Sequence, residues 1–325
     1  MDRKNSFRKA LIAFLKLTVT IVIILYLIRK LGWEQIQATL TGADVTWIGA
    51  GLVIFLLSGW LGVVQWRILL ANRGIPLPFT RAFKLYFTGM FFNNFIMGGI
   101  VGDAVKVASI RSRDGKGMAG FAATFLDRFA GLWAMCGFAM VGSLILLNKG
   151  ALDQNGIGNA VIALFATFVL FAGIMLFLIL KPLQRIFFRV IEKFSFLEKF
   201  RIKEIVSEVL LEVQDFKLIC NVSALSVCIQ FLRIAVHAFA AGALGLLTSG
   251  NFHYFFIFVP VIAMLMTIPL PFGAREAFGG TLFALAGFPL EAAFVMGFLA
   301  SLIGIAASML GGLFFITDRF YTPGR

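Results

Sequence analysis

The chain has 325 residues, of which 60% are hydrophobic and 14% charged. A soluble domain carries about 45–50% apolar and about 25% charged residues, so the composition excludes an ordinary water-soluble globule and describes a polytopic membrane protein. The formal net charge of +13 would point to nucleic acid in a soluble protein, but here the cations lie in short loops between apolar runs, as in cytoplasmic-side anchoring and anionic headgroup contact, and nucleic acid is not expected as a partner.

Three cysteines (Cys136, Cys220, Cys228) lie inside apolar runs without metal-ligand spacing, which predicts neither a disulfide framework nor a metal site. Two histidines, His237 and His253, leave almost nothing for zinc or haem. No cofactor is expected.

The first apolar run, Leu11 to Ile28, follows Arg3, Lys4, Arg8 and Lys9. A signal peptide shares that basic start, but this run is long enough to span and no small-x-small cleavage site follows it. It reads as a retained first helix entering from the cytoplasm. About 20 apolar residues cross a core of about 30 Å, so six full spans are expected, near 11–28, 46–66, 118–147, 157–180, 217–247 and 291–316.

Two further apolar stretches, 82–102 and 254–288, are broken. The first leads through Asn93, Asn94, Gly98, Gly99 and Gly102 to Asp103 and Lys106; the second holds Pro269, Pro271, Gly273, Arg275 and Glu276. Backbone that leaves the helix at membrane depth survives only where protein buries it or where it lines a watery cavity. Interrupted segments in matching places of two halves are the best sequence pointer to a transporter's binding site.

Lysine and arginine set the topology. Arg67, Arg73, Arg81 and Lys84 lie before or at the start of the first broken stretch, and Lys106, Arg111, Arg113 and Lys116 follow it. A re-entrant hairpin over 82–102 keeps both clusters inside. Asn148 to Gly156 then lies outside, and Lys181–Lys217, with its eight cations, lies inside. The stretch 254–288 is either a second hairpin from the outer face or two ordinary spans, which hydropathy does not separate. Both termini fall in the cytoplasm. The expected fold is an all-α bundle forming one transmembrane domain over 1–325, with inverted repeats near 1–150 and 157–316. Residues 183–216 read as amphipathic helices in the cytoplasmic interface.

Ionisable groups within spans cost about 2.5–3.5 kcal/mol each and usually face a cavity or a partner. Asp127 and Arg128 lie inside the third span, and Arg233 and His237 share one face of the fifth. Asp103 and Lys106 follow the glycine turn, and Arg275 and Glu276 follow the prolines. Half-helix N-termini offer N–H groups to an anion. Tight helix packing would account for the glycines, though not for the charges. Lys106, Arg128, Arg233 and Arg275 are therefore candidate ligands of a phosphate headgroup, arginine having the better fork. Asp103, Asp127, His237 and Glu276 are candidate charge partners or proton carriers.

Together the runs Asn93-Asn94…Gly98-Gly99…Gly102-Asp103…Lys106, Phe125-Leu-Asp127-Arg128 and Pro269-x-Pro271-x-Gly273-x-Arg275-Glu276 resemble the flippase-like transmembrane domain family. That domain is the lipid-translocating region of lysylphosphatidylglycerol synthase/flippase proteins, and it also occurs as a stand-alone membrane protein in bacteria and archaea. The resemblance covers nearly the whole chain. It implies movement of a polar lipid between leaflets of the cytoplasmic membrane. Two departures stand out. Lys106 occupies a place where the family pattern usually has arginine, and the chain ends at Arg325 with no aminoacyl-transferase domain, so lipid aminoacylation is not expected of it.

The expected activity is translocation of an anionic or polyprenyl-phosphate-type lipid, without ATP hydrolysis, since no Walker A motif occurs. One alternative is a membrane transferase acting on a lipid-phosphate-linked substrate, with Asp103, Asp127 or Glu276 as base. Another is a non-catalytic assembly subunit that recruits a cytoplasmic lipid-modifying enzyme. A homo-oligomer is compatible with each.

Overall fold

The computed structural model describes Glu34, Gln37 and residues 41–95, 100–148, 157–191, 202–265 and 274–317. Among these, every regular element is helical: α1 (Val45–Asn72), α2 (Phe79–Phe95), α3 (Val101–Asp114), α4 (Gly117–Asn148), α5 (Ile157–Ile179), α6 (Lys181–Ile191), α7 (Ile202–Glu212), α8 (Phe216–Ala243), α9 (Phe255–Leu265), α10 (Ala274–Leu285) and α11 (Leu290–Thr317). Helices α1, α4, α8 and α11 have 28, 32, 28 and 28 residues and are long and apolar enough to cross a membrane. They occupy four of the six expected spans. Helix α5 turns through 90° into α6, and the expected span 11–28 lies outside the described residues. The protein is a polytopic, all-α membrane protein.

Helices α1 and α8 are built alike. Each starts on an aspartate that accepts first-turn N–H groups, Asp44 from Thr46 at 2.8 Å and Asp215 from Lys217 at 2.9 Å, satisfying donors that a helix start leaves open. Each ends before a left-handed glycine, Gly74 at φ 65° and Gly245 at φ 67°, a conformation that glycine adopts without a Cβ penalty. The closing hydrogen bonds match as well: Ile75 N–H donates to Leu70, and Leu246 N–H to Ala241, both at 2.9 Å. The two helices pack antiparallel. The Asp44 N–H at the start of α1 donates to the last carbonyl of α8, Ala243, at 2.8 Å.

Both broken stretches fold back on themselves. In the first, Gly102 of α3 lies on the Gly89 carbonyl of α2, where a Cβ would collide, and Asn93 Oδ1 accepts the Gly102 N–H at 2.7 Å. In the second, Phe258 of α9 meets Phe283 of α10 at 5.1 Å, and Phe255 meets Phe288 at 6.2 Å, so the chain leaves where it entered. Helices of 11 and 12 residues reach only about 17–18 Å, well short of a full crossing. Hydropathy left 254–288 open; its described helices, α9 and α10, lie side by side as the two arms of a hairpin would.

The apolar interior divides into two bodies. One holds Val63 and Trp66 of α1, Phe87 of α2, Ile110 of α3, Phe129 of α4 and Val222 of α8. The other holds Leu146 of α4, Ile234 of α8, Phe258 of α9, Phe283 of α10 and Ile303 of α11. Along both α4 and α8 the membership changes midway, so the bodies stack along the helix axes. Each hairpin belongs to one body, so the two enter from opposite ends with their tips at the boundary.

Candidate functional site

The boundary between the two bodies is polar. Ser226, Gln230, Arg233 and His237 follow one another along α8 at helical spacing and form a stripe on one face. Ser226 donates to Gln65 Oε1 of α1 at 2.8 Å, and Gln65 Nε2 donates to Asp127 Oδ1 of α4 at 2.9 Å. All three are buried, Ser226 at 0%, Gln65 at 2% and Asp127 at 8% exposure. Buried polar groups are tolerated only when hydrogen-bonded, so this chain ties three spans together at one level. Arg233 lies close enough to Asp127 and Tyr86 to act on both electrostatically. Its Nε and Gln230 Oε1 are buried and without a hydrogen-bond partner among the described residues.

At the tip of the first hairpin, Asp103 holds two cations. Arg128 Nε donates to Asp103 Oδ2 at 2.7 Å and its Nη2 to Oδ1 at 3.3 Å, a forked contact across from α4 to α3. Lys106, one turn beyond Asp103, reaches Oδ1 at 2.9 Å. Its ammonium lies 5.3 Å from the Trp66 ring centre and 4.9 Å from that of Tyr86, a favourable desolvated cation–π arrangement. The two cations differ in access: the Lys106 side chain is 4% exposed, that of Arg128 47%. Lys106, a candidate headgroup ligand beside Arg128, lies between the Trp66 and Tyr86 rings and Asp103.

At the tip of the second hairpin, Glu276 in the first turn of α10 is buried, and Ser301 of α11 donates to its Oε1 at 2.6 Å. Glu276, Ser301 and His237 line one small cavity together with Gly297 and Met296. His237 Nδ1 is 3.2 Å from the Arg233 carbonyl one turn earlier. Asn94, from the tip of the first hairpin, reaches the Gly304 carbonyl of α11 at 3.5 Å. Ser301 and Gly304 are one turn apart, so a single turn of α11 touches both tips. Arg275 is in α10, with its side chain outside the described set; Gly98, Gly99, Pro269, Pro271 and Gly273 also lie outside the described residues.

The model of the lysylphosphatidylglycerol synthase transmembrane region matches residues 13–312 of the chain. The chain belongs to this family. It is also similar to a UPF0104 membrane protein of Pyrococcus horikoshii, 27% identical over 214 residues, covering 63% of this chain and 63% of that protein. No solved structure matches. The family is a membrane family named for a lipid-modifying synthase.

Sequence reasoning selected charges and so missed the neutral members of the site. Gln65, Ser226, Gln230 and Ser301 carry no charge, and neither do Trp66 and Tyr86. A helical-spacing search for any polar residue along α8 would have found Ser226 and Gln230 beside Arg233 and His237. Among the described residues no three His, Cys, Asp or Glu side chains are placed to hold a metal ion. Chemically, the first tip can offer a half-exposed guanidinium to an anionic oxygen, and the second can exchange hydrogen bonds within its cavity.

Proposed function

We propose that this protein carries a polar lipid with an anionic headgroup between the two leaflets, passing the headgroup along the polar boundary while the acyl chains stay in the surrounding bilayer. The observation that carries this reading is the meeting of two oppositely entering hairpin tips, each bearing a buried or partly buried carboxylate, at one turn of α11. An ion pair at membrane depth is costly and is kept mainly where a polar substrate passes. The halves act as inverted repeats, supported by the matched and antiparallel α1 and α8, and each hairpin serves as the gate of one side.

In this mechanism Arg128 is the first headgroup ligand, because its guanidinium is the accessible cation of the first tip. Lys106 positions Asp103, and Asp103 holds Arg128 in its forked orientation. Arg233 receives the phosphate next, and the His237 turn passes it to the cavity of Glu276 and Ser301; Arg275, the neighbour of Glu276 in sequence, is a further candidate ligand. Anionic phospholipids and polyprenyl phosphates share the phosphate chemistry this path recognises. The protein performs no covalent step.

The test is leaflet exchange of a labelled anionic phospholipid and of a labelled polyprenyl phosphate in reconstituted vesicles. A charge-assisted contact contributes about 1.5–3 kcal/mol, so R128Q is expected to slow exchange of the transported lipid about tenfold or more while the folded protein is retained. Exchange by R128Q and R275Q at the wild-type rate would refute the reading.

A further inference from the structure

Helix α6 presents three distinct faces. One faces the bundle: Phe187 packs on Phe177 of α5 with ring centres 4.9 Å apart, Gln184 Nε2 donates to the Leu178 carbonyl at 2.8 Å, and Ile191 is buried. A second carries Lys181, Arg185 and Arg189 at successive turns, all exposed. Among the described residues none of these three side chains has a hydrogen bond or ion pair. The third carries Leu183 and Ile186, which are 40% and 55% exposed although apolar. At about 100° per residue the cationic and exposed apolar faces sit on either side of the one opposite the bundle.

Orientation settles what this surface meets. Helix α5 runs antiparallel along α4, with Phe171 on Phe129 at 5.4 Å and Phe168 on Trp133 at 5.2 Å, and meets α6 at a 90° bend, so α6 lies across the axis of the spanning helices. Phe177 and Phe188 pack on the same apolar body as the first hairpin, at the end where α1 delivers Arg67 and Arg73 and α4 begins. A helix in the interfacial plane sinks an apolar face into the headgroup–acyl boundary and holds its cations at phosphate level. Leu183 and Ile186 fit the first requirement. Lys181, Arg185 and Arg189 fit the second.

We infer that α6 is a docking surface for the anionic headgroups of the leaflet on that side, with Lys181, Arg185 and Arg189 as the lipid-binding row. The inference is independent of translocation and concerns lipid held at the surface, not lipid in transit. Each cation near an anionic membrane surface is expected to favour anionic over zwitterionic lipid about fivefold.

The experiment uses the full chain in nanodiscs of phosphatidylcholine alone or mixed with phosphatidylglycerol. Amide hydrogen exchange across residues 181–191 is expected to slow about fivefold or more when phosphatidylglycerol is present, and K181Q/R185Q/R189Q to lose that difference. The charge-retaining R185K/R189K keeps it, which separates lost charge from lost packing. Equal exchange of the wild type in both lipids would overturn the inference, as would an unchanged difference in the triple glutamine variant. Protection that appears only on adding a soluble protein extract would also overturn it, in favour of a protein partner.

Discussion

The two hairpin tips use one frame with different chemistry. In the first, Asp103 of the returning helix pairs with Arg128, and in the second, Glu276 of the returning helix pairs with Ser301; in both the partner lies on the following span, 25 residues further along the chain. The frame fixes where a carboxylate meets the next span. The side chain at the meeting point decides whether that contact is a forked ion pair or a hydroxyl bond. The placement of the carboxylate is thus shared between the two tips, and charge is distributed unequally.

The sharpest way to break this contrast is Asp103→Ala. It strands Lys106, which is only 3% exposed, beneath two rings with its carboxylate gone. Breaking a buried pair from one side costs about 3–5 kcal/mol, so the unfolding midpoint in detergent should fall steeply. Asp103→Asn combined with Lys106→Met should recover most of the loss. Equal stability of Asp103→Ala and wild type would show that the pair is not buried as described.

A second comparison sets glycine against glycine. A Cβ at Gly102 would strike the Gly89 carbonyl, whereas one at Gly279 would meet the flexible tip of Ile262 at 2.9 Å. Gly102→Ala is expected to cost about 1–3 kcal/mol and Gly279→Ala clearly less, both read from thermal unfolding. Similar losses would mean that the second hairpin packs as tightly as the first.

Gln65→Leu probes the boundary between the bodies. It removes the link from Ser226 to Asp127 and leaves both buried groups short of a partner, at about 1–3 kcal/mol. Ser226→Ala alone should cost less, since Gln65 keeps its bond to Asp127. The smallest effects test the likeness of the two long antiparallel helices: Asp44→Ala and Asp215→Ala should each cost about 1 kcal/mol and should agree closely. Unequal losses would mark the two helix starts as differently supported.

Much of this was legible in the residues. Long apolar runs announced α1, α4, α8 and α11 because a bilayer demands a fixed length of apolar helix. Breakers followed by charges located both tips, because glycine, asparagine and proline interrupt a helix whatever surrounds it. Asp103 and Lys106 were read as neighbours from their spacing alone. The pairing of Asp103 with Arg128 was left open, because helical spacing relates residues a turn apart and not residues on different helices. Gln65 carries no charge to single it out, and its partners stand 62 and 161 residues away.

Sequence by itself determined the membrane class, the long helices, the two interruptions and the charged residues at them, since each follows from local hydrophobicity and backbone preference. Only the tertiary structure decided which charges are open. It enclosed Lys106 between Trp66 and Tyr86, left Arg128 half-exposed, and brought Asn94 and Glu276 to one turn of α11. Access depends on what other helices place around a side chain, and no property of Lys106 or Arg128 within its own helix specifies that.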